Sequence, residues 1–233
     1  MASNSKKIPE SKLIPIIKHF RNLIAPNTDF DSVEVESGYG IADVVFYSLD
    51  ENSIENRVLK SELSRLKSYE ILETLSFLNT QENNEIAVTQ LYQNLPFSEK
   101  YFKSKLLPFL IKNEICQLEK NDYLNCLWKY KVALKETVAI EAKVSNWRRG
   151  LYQAYRYRQY ADLSYLALES NYIRPALQNI QDFHKANVGL IKVDSDNDNI
   201  EILYTPNKES KMRSKMLEMY TNEFILQEKN FIE

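Results

Sequence analysis

The stretch Val138–Tyr157, VAIEAKVSNWRRGLYQAYRY, constrains this chain more than any other. It opens on an apolar run, Val138-Ala139-Ile140, then sets Glu141 and Lys143 two residues apart. On a strand, residues i and i+2 point to one face, so a carboxylate and an ammonium leave the strand side by side. The basic, aromatic-rich segment that follows has helical character. It carries Gln153 and Tyr157 four residues apart, again on one face. A carboxylate, an amine and an amide gathered at a strand end and the next helix suit a site for a metal ion and a phosphate. The plainer alternative for Glu141 and Lys143 is a surface strand pair, which contributes well under ~1 kcal/mol.

With 233 residues, 44% hydrophobic and 27% charged, the chain can bury a sizeable core in one large or two small domains. Disorder and a disulfide scaffold are excluded as overall readings. Only 4 glycines are present, with no GxGxxG and no GxxxxGK[ST], which argues against a glycine-rich dinucleotide fold. The net charge of −2 by itself points to no nucleic-acid partner. Its distribution does: Ser98–Arg158 holds 13 lysines and arginines against 6 aspartates and glutamates. That asymmetry reads as a phosphate-facing surface, or else as a solvated charged face. Cys116 and Cys126 have no histidine at ligand spacing and read as reduced thiols of a cytosolic protein. The start MASNSKKIPE has no apolar core of a signal peptide. No run approaches the ~18–20 apolar residues that cross a bilayer. These features predict a cytoplasmic protein with no membrane partner.

Taken in order, residues 1–9 are polar and read as loose. Glu10–Ile24 carries a helical apolar stripe that Pro26 and Asn27 end. Ser32–Glu36 alternates as a strand, Gly38-Tyr39-Gly40 makes a turn, and Ile41–Tyr47 is a β-rich run holding one charge, Asp43. A lone aspartate there is costly if buried without a partner; otherwise it lies on a solvent face with Ile41 and Val45. Leu49–Arg65 reads as a helix-compatible connector. Ser68–Leu78, Glu85–Tyr92 and Glu99–Lys112 read as three helices, with Ser98 as a cap. The third has Phe102, Leu106, Phe109 and Leu110 inward, Lys100, Lys103 and Lys105 outward, and Pro108 as a kink or a stop. Strands follow on either side of Lys120-Asn121-Asp122. Lys135–Val144 is a strand and Ser145–Tyr160 a helix anchored by Trp147. Leu163–Leu168 is a buried strand and Tyr172–Lys185 a helix. Val188–Val193 and Ile200–Tyr204 are strands around DSDNDN, and Lys208–Glu228 is a terminal helix that suits an oligomer contact. His19 and His184 are isolated and read as structural.

Three short helices and a β-hairpin over 66–131 resemble a winged helix-turn-helix domain, whose third helix lies in the DNA major groove. The same topology also serves protein interaction. The flanking segments, 10–50 and 132–233, resemble the PD-(D/E)xK nuclease superfamily. The residues carrying the resemblance are Gly38-Tyr39-Gly40-Ile41-Ala42-Asp43, Glu141-Ala142-Lys143, and the Q-x-x-x-Y helix with Gln153 and Tyr157. Asp43 follows Ala42 where the family pattern has proline, and 97 residues separate Asp43 from Glu141. An inserted winged-helix domain would fill that gap, as surface insertions are tolerated where chain ends lie close.

The resemblance implies an α/β restriction endonuclease-like fold: a mixed central sheet flanked by helices, with an inserted α+β winged-helix domain. It implies a Mg²⁺-dependent deoxyribonuclease, Mn²⁺ substituting, that hydrolyses double-stranded DNA as a homodimer or in a larger assembly. Asp43, Glu141, Lys143 and Gln153 would be catalytic. Asp43, Glu141 and the Ala142 backbone carbonyl would hold the metal, since Mg²⁺ prefers hard oxygen ligands. Lys143 would orient water or neutralise transition-state charge. Lys100, Lys103, Lys105, Arg148, Arg149 and Tyr157 would contact DNA, although Tyr157 equally suits the core. Glu10, Glu34 and Glu36 lie where some members place another acid, Glu36 being the best placed. The rival reading is a DNA-binding or regulatory protein that keeps the fold without cutting.

Overall fold

The computed structural model describes residues 9–60, 62–208 and 214–233. The expectation for the N-terminal residues up to 8, and the part of the terminal helix at 209–213, lie outside these. Nine strands occur among the described residues: β1 Phe30–Glu36, β2 Ile41–Leu49, β3 Glu85–Ala87, β4 Cys116–Leu118, β5 Tyr123–Cys126, β6 Leu134–Lys143, β7 Leu163–Glu169, β8 Gly189–Asp194 and β9 Asn199–Tyr204. Two compact units contain them. The first takes residues up to Asp50 and Leu134–Thr221; the second takes Glu51–Ala133 and Asn222–Glu233.

In the first unit six strands form a mixed sheet in the order β1-β2-β6-β7-β8-β9. β6, β7 and β8 run parallel; β1, β2 and β9 join antiparallel to their neighbours. Every residue of β7 is buried, as in a strand covered on both faces, including the polar Ser164 and Glu169 among its mostly apolar residues. One face packs against the N-terminal helices through Leu13, Ile16, Ile17 and Ile24. The other is covered by Trp147, Ala154, Ile173, Ala176 and Phe183. This is a mixed α/β unit with helices on both faces of its sheet.

Local rules explain the boundaries. The helix Trp147–Tyr157 is capped by Asn146, which takes a left-handed conformation and accepts the Arg149 N–H at 3.4 Å on its side-chain oxygen. Trp147 stacks on Phe183, the anchor expected of it. The single N-terminal helix of the sequence reading is a 3₁₀ turn at Glu10–Lys12, a helix Leu13–His19 and a further turn Arg21–Ile24, broken at Phe20. Tyr172–Lys185 likewise divides, into Arg174–Gln178 and Ile180–Ala186, at Asn179.

The second unit has helices Glu51–Val58, Tyr69–Thr80 and Val88–Gln93 and a three-stranded antiparallel sheet, β3-β5-β4. Glu85–Tyr92 was expected to be wholly helical. Its first three residues instead pair with Tyr123–Asn125, so a distant strand overrides local helix preference. The segment 99–112 does not stop at Pro108. A π-turn, Phe102–Leu106, precedes the proline and absorbs its missing N–H and ring clash. Ser98 caps this segment by accepting the Tyr101 N–H at 3.2 Å. Cys116 and Cys126 face each other across β4 and β5, their sulfurs 3.7 Å apart as thiols.

The C-terminal boundary differs from the sequence expectation, which kept everything to 233 with the six-stranded sheet. Glu223 is the physical reason. It takes Arg57 Nε at 2.7 Å and Nη2 at 3.0 Å, the Leu66 N–H at 2.8 Å and the Tyr130 hydroxyl at 2.8 Å. The described terminal helix is Lys215–Glu228. Met216, Leu217, Met219, Ile225 and Leu226 on it are buried. No helix among the described residues is long and apolar enough to cross a membrane.

Candidate active site

Asp43 and Glu141 meet because β2 and β6 are neighbours. Their ladder pairs Val44 with Ile140, and one step further along come Asp43 and Glu141. There the Asp43 carboxylate replaces a ladder acceptor: Ala142 N–H donates to Asp43 Oδ2 at 2.7 Å. Asp43 is half-buried, but Val45, two residues on, is fully buried. A solvent face shared by Ile41, Asp43 and Val45 is thereby excluded.

Glu141 and Lys143 leave β6 together, as their spacing requires. Lys143 Nζ lies 2.6 Å from Glu141 Oε1, and Glu141 is only 1% exposed, so this is no surface pair. The ammonium also lies 3.2 Å from the Ala142 carbonyl oxygen and 3.4 Å from Glu10 Oε2. Gly150 makes room for it. A Cβ at that position would come within 2.5 Å of Leu166 and 3.0 Å of Lys143 Cγ, so only glycine lets the helix seat against the lysine stem.

Of the two places expected for Tyr157, at the DNA or in the core, the structure has the second: it is 2% exposed, with its hydroxyl turned inward. The hydroxyl lies 2.6 Å from the Ile41 carbonyl oxygen and also bonds Glu141 Oε2. A phenol carries one proton and here faces two acceptors, one of them Glu141. Gln153, one turn earlier, is half-buried, and its Oε1 has no hydrogen-bond partner among the described residues. No hydrogen bond among the described residues joins it to Asp43, Glu141 or Lys143.

Sequence reasoning ranked Glu36 ahead of Glu10 and Glu34, and the geometry reverses this. A depression of about 330 Å³ beside Asp43 is lined by Glu10, Ser11, Ile14, Pro15, Val33 and Glu34. Glu34 has a positive φ of 52°, which interrupts the alternation of β1 next to Asp43. No local pattern announces that break, and Glu10 reaches Lys143 only through the seating of the first helix.

Three carboxylates, Glu141, Asp43 and Glu10, thus act on Lys143, and Glu34 lies beside Asp43. Burial pushes the Asp43 carboxyl above its ordinary value; the Ala142 N–H and Lys143 pull it back, and Glu10 and Glu34 add to the rise. Burial likewise raises Glu141 against the opposing pull of Lys143 and Tyr157. For Lys143, burial favours the neutral amine, but Glu141, Asp43 and Glu10 outweigh it and hold the ammonium charged. Burial, then Glu141, raises the Tyr157 phenol, which stays protonated.

The donors suit a hard cation: Asp43, Glu141, the Ala142 carbonyl and Glu10 all offer oxygen. The ammonium already contacts three of them. Among the described residues no three His, Cys, Asp or Glu side chains form a ready-made metal cluster. Two carboxylates and a main-chain carbonyl are therefore the set to consider. Of the expected nucleic-acid contacts, Lys100, Lys103, Lys105, Arg148 and Arg149 are exposed. Lys103 pairs with Glu99 at 2.7 Å, and Arg148 stacks over Trp147. The lysines belong to the second unit and the arginines to the first. Comparison with protein-family models, characterised proteins and solved structures returns no match to this chain.

Proposed function

We propose that this protein is a metal-dependent deoxyribonuclease on a restriction endonuclease-like α/β unit, interrupted by a winged-helix unit that binds duplex DNA. One observation carries the reading. Asp43 is bonded to the backbone of the Glu141-Ala142-Lys143 strand across 97 intervening residues, with Lys143 seated on Glu141. Chance E-x-K tripeptides have no reason to recruit a distant aspartate.

Asp43, Glu141 and the Ala142 carbonyl would hold Mg²⁺ or Mn²⁺. The ion's contribution when bound is to polarise a phosphoryl oxygen and ease deprotonation of water. Lys143 is charged and so acts electrostatically, on the phosphate or on an attacking water, rather than as a base. Tyr157 fixes the orientation of Glu141. Arg148 and Arg149, exposed at the start of the helix after β6, would hold backbone phosphates. In the second unit the order helix, strand, helix, helix, strand, strand supports the winged-helix assignment, and Lys100 and Lys105 project from its third helix.

The second reading is a DNA-binding protein without catalysis, and the engagement of both Glu141 oxygens, by Lys143 and Tyr157, favours it. One experiment separates the two. The purified protein is incubated with plasmid, linear duplex and branched DNA, with Mg²⁺ or Mn²⁺ and with EDTA. The nuclease reading expects metal-dependent cleavage that Asp43→Ala and Lys143→Ala each reduce on the order of 10³-fold. No cleavage of any substrate, or cleavage that survives both substitutions, refutes it.

A further inference from the structure

The outer face of the helix Trp147–Tyr157 has a composition that duplex binding does not require. At 100° per residue, Arg148, Arg149, Tyr152, Tyr155 and Arg156 fall on one arc, opposite the buried Gly150, Ala154 and Tyr157. Tyr152 sits at the centre of this arc and is 63% exposed. Its neighbours at i−4, i−3 and i+4 are arginines. Residues 144–161 contain no aspartate or glutamate. Tyr39, in the turn between β1 and β2, extends the surface: it is 50% exposed, and the Arg156 guanidinium lies 5.1 Å from its ring centroid.

Single exposed aromatics are ordinary. Two exposed tyrosines, one beneath the Arg156 guanidinium and the other four residues before it, with Arg148 and Arg149 beside it on a helix that carries no acid, are a platform. Arginines alone would serve a duplex, whose phosphates lie outside and whose base faces are stacked away. Exposed tyrosine rings gain most from bases that are unpaired. The platform borders the candidate site. Tyr157, the residue after Arg156, holds Glu141, and a Cβ on Gly40 would touch both the Tyr157 ring and Arg156.

We propose that this face binds a single nucleic-acid strand, stacking unpaired bases on Tyr152 and Tyr39 while Arg148, Arg149 and Arg156 hold its phosphates. On the nuclease reading, on which this inference rests for its substrate, DNA with a single-stranded segment is then preferred to continuous duplex. The test separates binding from cutting. Anisotropy of labelled oligothymidine and of a blunt duplex of equal length is measured in EDTA for the wild type, Tyr152→Ala, Tyr39→Ala and Tyr152→Trp, each checked for an unchanged melting temperature. Tyr152→Ala weakens single-strand binding about 5- to 100-fold, Tyr39→Ala acts in the same direction, and Tyr152→Trp retains affinity. Duplex binding changes less than about 2-fold, because phosphate contacts carry it. Equal weakening on both nucleic acids, no weakening on either, or displacement of the oligonucleotide by polyglutamate as readily as by unlabelled oligothymidine overturns the proposal. Single-strand binding that follows this pattern in a protein that never cuts supports the platform and refutes only the nuclease reading.

Discussion

Each unit of this protein buries a carboxylate beside a cation, and the two arrangements differ in charge balance. In the second unit Arg57 and Glu223 are both fully buried and matched one to one. The guanidinium also donates to the carbonyls of Lys60 and Leu63, and the carboxylate also accepts from Leu66 N–H and Tyr130. In the first unit Lys143 serves Glu141, with Asp43, Glu10 and Glu34 close by. The first arrangement is complete and needs nothing further. The second carries an excess of negative charge beside a single cation, which the fold tolerates only at a cost. Satisfied pairs hold a structure together; on the proposed function, this unbalanced cluster is built for a charge that arrives from outside.

The largest effect that can break this contrast is on stability. Glu223→Ala leaves Arg57 buried without its partner and is expected to destabilise the protein by about 3–5 kcal/mol, read by urea unfolding. Glu141→Gln is expected to cost far less, because Lys143 keeps the Ala142 carbonyl, Glu10 and Asp43. Equal losses would erase the distinction between a structural pair and a functional one. Gly150→Ala comes next. The added methyl overpacks Leu166 and the Lys143 stem, for about 1–3 kcal/mol, and shifts the ammonium. On the nuclease reading, kcat for DNA cleavage falls by more than the stability loss accounts for.

Asp43→Asn gives the smallest effect and carries a sign. The folded-state pKa of Asp43 lies above its unfolded value, so the ionised group costs stability at neutral pH. That cost shrinks as pH falls below the folded value and is gone below the unfolded one. The variant should therefore melt a few degrees above the wild type at pH 7 without divalent ions, and the gap should close in acid. A variant that melts lower at pH 7 would show that the Ala142 hydrogen bond outweighs the crowding of carboxylates.

Much of the site was legible because its signals are local. The i, i+2 spacing of Glu141 and Lys143 on an apolar run fixed their shared face, and the helix after them followed from its residue composition and its Trp147 anchor. The burial of Leu163–Leu168 in β7 followed from its mostly apolar run. Where the reading failed, the deciding term was long-range. Glu85–Ala87 became a strand because β5 was available. Glu10 joined the site through helix packing.

The sequence by itself determined which residues alternate, cap and cluster, since strand and helix periods are properties of neighbouring backbone. Only the tertiary structure decided that Asp43 bonds the strand of Glu141 across an insertion, that Glu34 rather than Glu36 faces it, and that Glu223 joins the second unit. Those outcomes depend on burying charge, whose cost is set by every group within a few ångströms regardless of its place in the chain.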